Sequence, residues 1–396
     1  MLAHVVLAAL LLGAPQAARA GDSVVSPRVS ADTSQDTVFY VTNRARRGVH
    51  LPSFADDSLE FGFVVTRFVE RPAPSVAEQV LGQVALQVVD SVRLSREEFT
   101  ALVREADGHA AQVGEGSVLY VHGYGTSFGR GIRQGAEIAH RGRFRGPFIV
   151  FSWPAHSTIA TWPTTHALLS HAYRDDSVAA SRSGSAFRAG LDVLLGAVRP
   201  QSLNVVGHSL GAQLVAEALR EPSAVHDSLA ASPLHALVFF APDISAERFR
   251  DSLSATLAPL AGRRVVYTSS SDRMLALSHL VNHSYRLGQL SGARELADAD
   301  VEVVDITRGR RSLGGGLWRL VDPRHAMRHS GAALYDFFYE VVRGGPATCR
   351  EGSGLAEREG ARAWRLTAGP IPPSAPIAAA CQAAAGSRLT GTAPPG

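Results

Sequence analysis

The sequence predicts an α/β protein built on a mostly parallel sheet of about eight strands, with helices on both faces. Three observations lead there. From Val118 onward, short apolar runs alternate with helix-like stretches. Those runs are continuous rather than alternating, as strands buried on both faces must be. The composition, 45% hydrophobic and 19% charged over 396 residues, suits a substantial core.

The elements follow in order. Val5 to Leu12 is apolar, Gly13 to Pro15 breaks it, and Ala18-Arg19-Ala20 offers a small-residue cleavage site. Residues 1–20 therefore read as a signal peptide, too short in its apolar part to span a bilayer. Export, periplasmic or extracellular, is the expectation, with no stable membrane anchor. Residues 21–35 form a polar leader, and 36–343 the main domain. Thr37–Thr42 and Leu59–Val69 are rich in β-branched and aromatic residues and read as strands. Ser95 opens an S-R-E-E helix start that runs to about Ala111. The later strand runs are Val118–Val121, Phe148–Phe151, Leu203–Val206, Leu234–Phe240, Arg264–Thr268 and Val301–Ile306. Helical stretches fall around Gly131–His140, Ser185–Ala197, Leu210–Arg220, Ala246–Leu257, Arg273–Val281 and Gly331–Val342. Residues 160–183 break the rhythm and read as a lid or excursion. Residues 344–396 are rich in Ala, Gly, Pro and Ser and read as a largely irregular tail. That tail holds both cysteines, Cys349 and Cys381, which an oxidising compartment would allow to pair.

Composition also excludes chemistry. All 39 basic residues are Arg and none is Lys. Schiff-base catalysis, a P-loop lysine and a Ser-Lys nucleophile pair are thereby ruled out. The net charge is only +3 and no long basic run exists, so no nucleic-acid partner is expected. His325/His329 and His279/His283 have the i, i+4 spacing of zinc ligands. Neither pair has the Glu of H-E-x-x-H, so no metal is expected.

Gly207-His208-Ser209-Leu210-Gly211 matches G-x-S-x-G, and it sits between an apolar run and a helical stretch. That is the strand–turn–helix setting in which a serine is presented as a nucleophile. A serine nucleophile needs a base, and the base needs an orienting carboxylate. In chain order the acid follows the serine, at Asp272 after Arg264–Thr268, with Asp243 in A-P-D held in reserve. His329, just before the last helical stretch, is favoured as base over His325. His122-Gly123-Tyr124-Gly125 follows the Val118–Val121 run, where backbone N–H groups of Tyr124 and Leu210 would form an oxyanion hole.

Together these residues resemble a bacterial alpha/beta-hydrolase family of undefined function. The shared segments are Val38–Arg44, Leu59–Gly62, Val121–Tyr124, Phe151–Pro154, the Ser209 turn, Ala241–Asp243, Ser270–Leu275 and His329–Ser330. They are collinear over the body of the chain. Gly125 stands where Asn is frequent, and Leu210 where Met is frequent. The resemblance implies an alpha/beta-hydrolase fold and a Ser209–Asp272–His329 triad. The expected function is an exported serine hydrolase cleaving carboxylic esters, esterase- or lipase-like, through an acyl-enzyme and without a cofactor. Its substrate would be a small ester or lipid-like molecule. The alternatives are an amidase or peptidase on the same triad, or a non-catalytic binding protein of the same fold.

Overall fold

In the computed structural model the described residues are 35–44, 58–69, 86–155, 166–289, 296, 300–308, 325, 331–344, 350 and 356–367. The signal-peptide reading, both cysteines and His329 fall outside them.

The strands are β1 (Gln35–Thr42), β2 (Glu60–Phe68), β3 (Leu86–Leu94), β4 (Ser117–Val121), β5 (Phe148–Ser152), β6 (Leu203–His208), β7 (Leu234–Phe240), β8 (Ala261–Thr268), β9 (Glu302–Asp305), β10 (Ala356–Gly360) and β11 (Ala363–Leu366). They form one sheet in the order β10-β11-β9-β8-β7-β6-β4-β5-β1-β2-β3. The pairs from β11 through β1 are parallel, and β2, β3 and β10 add antiparallel edges. The sheet thus exceeds the eight strands expected, although all eight apolar runs are strands. The additions are β3, β10 and β11. β3 is mostly exposed, so its sequence carries little apolar signal.

Among the helices are α1 (Arg96–Gln112), α2 (Phe128–Arg141), α3 (His166–Arg182), α4 (Gly184–Leu195), α5 (Leu210–Arg220), α6 (Ala224–Ala231), α7 (Arg273–Asn282) and α8 (Gly331–Tyr335), the last continuing as a π-helix to Val342. α1 starts where the capping box places it. Ser95 Oγ accepts from Glu98 N–H and Glu98 accepts from Ser95 N–H. Alternate residues of each strand serve opposite faces. Leu119 and Val121 join a core with Phe99, Phe187 and Leu214 from α1, α4 and α5. Val118 and Tyr120 join the other, with Ile132 and Phe337 from α2 and the final helix.

The chain leaves β4 for β5 on one side and returns through β6, β7, β8 and β9 on the other. The gap above the carboxyl ends of β4 and β6 is therefore a topological switch point, where open parallel sheets place their ligands.

The tail is less irregular than its composition suggests. β11 pairs with β9, and Trp364 is buried beneath Arg350. Arg350 is itself buried and ion-paired to Asp336 and Glu302, and Glu302 also binds Arg263. Burial alone would raise the Glu302 carboxyl, but Arg263 and Arg350 bring it down to about 2. Nearby Glu340 behaves in the opposite way. Burial, then repulsion from Asp336, raises it to about 7, and its Oε2 has no hydrogen-bond partner among the described residues. A carboxyl raised in the folded state is ionised first in the unfolded chain, so stability falls as pH rises from about 4.5 to 7. Glu340→Gln should remove that slope and raise stability at pH 8 by about 2–3 kcal/mol. Thermal melts of both proteins at pH 5 and pH 8 check it. An unchanged slope in the variant would assign the pH dependence elsewhere.

Candidate active site

The turn between β6 and α5 is strained as the G-x-S-x-G pattern requires. Ser209 has φ 55° and ψ −121°, which an L-residue adopts only when its surroundings impose it. Its N–H donates to Phe240 O (3.0 Å), and its carbonyl accepts from Ala212 N–H (3.0 Å) and Asp243 N–H (3.1 Å). Those bonds to the end of β7 hold the conformation. Gly211 is required because a Cβ there would strike the carbonyls of Val121 and His122. The turn is thereby pressed against the end of β4. From the other side, a Cβ on Gly123 would lie 2.8 Å from Ser209 Cβ. The His122–Gly123 loop thus lies directly against the serine. Leu210 is the first residue of α5, so its N–H has no acceptor within the helix.

Asp272 caps α7 and does more. Its Oδ1 accepts from Met274 N–H (3.0 Å) and Leu275 N–H (3.1 Å). Its Oδ2 meets His325 Nδ1 at 2.7 Å, with the Asp272 side chain fully buried. The cap and the histidine use different oxygens, so the acid is locked before it orients anything. The histidine at Asp272 is therefore His325, the lesser alternative in the sequence. His325 also reaches the nucleophile turn: its carbonyl accepts from His208 Nε2 (3.0 Å), and the two rings lie 4.9 Å apart. Among the described residues no hydrogen bond joins Ser209 to the His325 ring. Such bonds often form only when substrate is bound.

Asp243, the reserve acid, is engaged elsewhere. Its carboxylate accepts from Arg286 Nε (2.6 Å), Ser278 Oγ (2.6 Å) and Tyr173 OH (2.9 Å). Burial and then the Asp243 charge push the Tyr173 phenol up to about 12, so it stays a donor. Asp243 therefore secures the turn after β7 that Ser209 leans on. Tyr173 belongs to α3, in the segment read as a lid or excursion, and so does Asp176, whose Oδ2 accepts from Gly125 N–H (2.8 Å). From His166 the excursion is a helix, fastened through Tyr173 and Asp176 to both loops beside the serine. No sequence pattern singled out Tyr173 or Asp176, because single polar residues on a helix usually mark its solvated face.

A cavity of about 710 Å³ lies along α3, α4 and α5, lined among others by Tyr173, Arg188, Glu217, Arg248 and Arg286. Neither Ser209, Asp272 nor His325 lines it. Among the described residues no group of three or more His, Cys, Asp or Glu is placed to hold a metal ion.

Chemically, the switch point gathers a strained serine at a helix start, a glycine loop packed against it, and an imidazole bound to a buried carboxylate. Such a set can generate a serine nucleophile and bind a developing oxyanion.

Comparison with solved structures finds similarity to a lipase/esterase from Lactobacillus plantarum (10% identity, 68% of this chain and 87% of that one, TM-score 0.27). It also finds the esterase Est22 (12% identity, 78% and 83%, TM-score 0.33). A structure from a study of two prolyl endopeptidases matches at 11% identity over 90% of this chain and 38% of that one, TM-score 0.28. No curated protein matches. Residues 109–314, more than half of the chain, match the family described as "Alpha/beta hydrolase of unknown function (DUF900)". The match spans the nucleophile turn, its flanking loop and Asp272, and by it the chain belongs to the DUF900 alpha/beta-hydrolase family.

Proposed function

We propose that this hydrolase cleaves carboxylic esters, with Ser209 as nucleophile, His325 as general base and acid, and Asp272 as the acid that orients it. The single observation that carries the reading is the buried Asp272–His325 pair beside the strained Ser209 turn. His325 takes the proton from Ser209 Oγ as the oxygen attacks the ester carbonyl. The tetrahedral oxyanion rests on Tyr124 N–H and Leu210 N–H. His325 then protonates the leaving alcohol, and water repeats the sequence on the acyl-enzyme. Asp272 holds the imidazole with Nδ1 protonated, leaving Nε2 for the serine. The substrate is a small ester or lipid-like molecule. Export after removal of residues 1–20 is part of the same reading, and sequencing the amino terminus of the mature protein tests it.

A fluorophosphonate probe should label the wild-type protein at Ser209 and leave Ser209→Ala unlabelled. A folded wild-type protein that resists labelling and hydrolyses no p-nitrophenyl ester would sink the proposal. Matching p-nitrophenyl anilides separate an esterase from an amidase on the same residues.

The two aspartates separate by kinetics and stability. Asp272→Asn should lower kcat about 10³–10⁴-fold, because the amide no longer enforces the required tautomer. Asp243→Asn should leave kcat within about tenfold yet destabilise the protein by about 3 kcal/mol, since Arg286 loses a buried counter-charge. Steady-state kinetics beside thermal melts check both. If Asp243→Asn is the more damaging to kcat at equal folding, the acid is misassigned.

A further inference from the structure

The segments Val38–Arg44 and Phe151–Pro154 carry part of the family resemblance, yet neither supplies a group to the proposed reaction. Their place in the fold gives them one. Four of the five carbonyls of the loop from His122 to Thr126 accept a hydrogen bond whose direction is fixed. Trp153 Nε1 donates to His122 O (2.7 Å), Thr126 Oγ1 to Tyr124 O (3.2 Å), Arg130 Nη1 to Gly125 O (2.9 Å) and Arg44 Nη2 to Thr126 O (2.6 Å). The fifth contact pairs Gly123 O with the Nδ1 of His122 itself, at 3.0 Å.

That contact depends on which ring nitrogen carries the proton. Arg44 bears on it. Its Nη2 lies 3.3 Å from His122 Nε2, and a guanidinium has only protons to offer. This contact favours Nε2 as the acceptor, with Nδ1 carrying the hydrogen that reaches Gly123 O. Ser152 takes part on both sides. Its Oγ accepts from Arg44 Nε (2.9 Å) and lies 3.4 Å from His122 Nε2. His122 is fully buried, stacked on Trp153 at 5.2 Å between ring centroids. Burial, then the Arg44 charge, hold its imidazole at about 3, so the ring is neutral at physiological pH.

Gly123 O and Tyr124 N–H belong to one trans peptide, in which carbonyl and N–H point in opposite directions. Drawing the carbonyl onto His122 turns Tyr124 N–H away from that ring. We propose that Arg44 is a positioning residue for the oxyanion hole: by fixing the tautomer of His122 it sets the Gly123–Tyr124 peptide, and so the direction of the Tyr124 donor. Asp176 supports the arrangement by binding the next N–H of the loop, that of Gly125, through its Oδ2. The inference rests on the hydrolase reading above for its kinetic consequence, but not for the tautomer.

Two measurements test it. In full-length protein labelled with ¹⁵N-histidine, His122 (assigned by loss of its signals in His122→Phe) should show protonated Nδ1 and bare Nε2 from pH 5 to 9. A protonated Nε2, or titration within that range, overturns the proposal without any Arg44 variant having to fold. In ester hydrolysis, Arg44→Met should lower kcat about 10–100-fold, up to the loss of one oxyanion donor, with KM within about twofold. Arg44→Lys, which keeps a donor, should recover part of kcat. An unchanged kcat in folded Arg44→Met, with wild type active, overturns the proposal. A wild type that neither hydrolyses esters nor takes the fluorophosphonate overturns the hydrolase reading instead, and the ¹⁵N pattern still decides the tautomer.

Discussion

His325→Ala is expected to lower kcat for ester hydrolysis about 10⁴–10⁶-fold, the loss typical when the base of a serine triad is removed. His329→Ala is expected to change it less than about threefold. The two histidines are four residues apart, and the sequence placed the base at the second because it immediately precedes the last helix. The difference lies in the partner. His325 Nδ1 lies 2.7 Å from a carboxylate that has no solvent exposure and whose other oxygen is already committed to capping α7. That geometry fixes the imidazole orientation at little entropic cost, because the acid has no alternative rotamer that keeps its cap. The expected loss is in kcat, with fluorophosphonate labelling slowed in parallel and thermal stability little changed. A folded His325→Ala enzyme with wild-type turnover, and a dead His329→Ala, would return the base to His329.

The parts of this molecule that could be read from its sequence are those whose signal is local. Val118–Val121 and Leu203–Val206 are continuous apolar runs because both faces of a central parallel strand are buried, and they are β4 and β6. The Ser209 turn was legible because steric demand falls on two fixed positions, Gly207 and Gly211, and the flanking strand and helix confirm its setting. Asp272 was legible as a candidate acid after the next-to-last strand of the body. The histidine that meets Asp272 was not, because Asp272 and His325 are joined only through the fold, across a separation of 53 residues. Sequence order narrows the proposed base to two candidates, and the contact with Asp272 is what favours His325. β3 escaped notice for a different reason. As an exposed edge strand with Val88 and Val89 toward solvent, it lacks both the continuous run and the clean alternation that mark a strand. β10 and β11 escaped because compositional bias hides them, although Trp364 is almost fully buried.

Arg350→Met is expected to destabilise the protein by about 3–5 kcal/mol, the penalty for removing one partner from a buried ion pair. The charge count explains the size. Within the cluster, Arg350 and Arg263 face the carboxylates of Asp336 and Glu302, so two cations balance two anions only if Glu340 is neutral. The elevated Glu340 carboxyl, at about 7, is consistent with that balance near neutral pH. Methionine fills most of the volume of the Arg350 stem but leaves an uncompensated negative charge among groups almost without solvent. Tyr267 OH, which donates to Asp336 Oδ2 at 2.6 Å, then becomes the main stabiliser of that carboxylate. Removing the stranded charge should restore much of the loss. Arg350→Met with Asp336→Asn is therefore expected to be more stable than Arg350→Met alone, by at least about 1.5 kcal/mol. The same substitution also frees the tail, since Arg350 lies over the Trp364 ring at 4.8 Å. Amide exchange in β11 should accelerate in Arg350→Met ahead of the parallel core. Chemical denaturation of the four proteins of the cycle measures the coupling. A single variant that loses less than about 1 kcal/mol, or a double variant no better than the single, would mean that packing of the tail, not charge balance, holds it to the sheet.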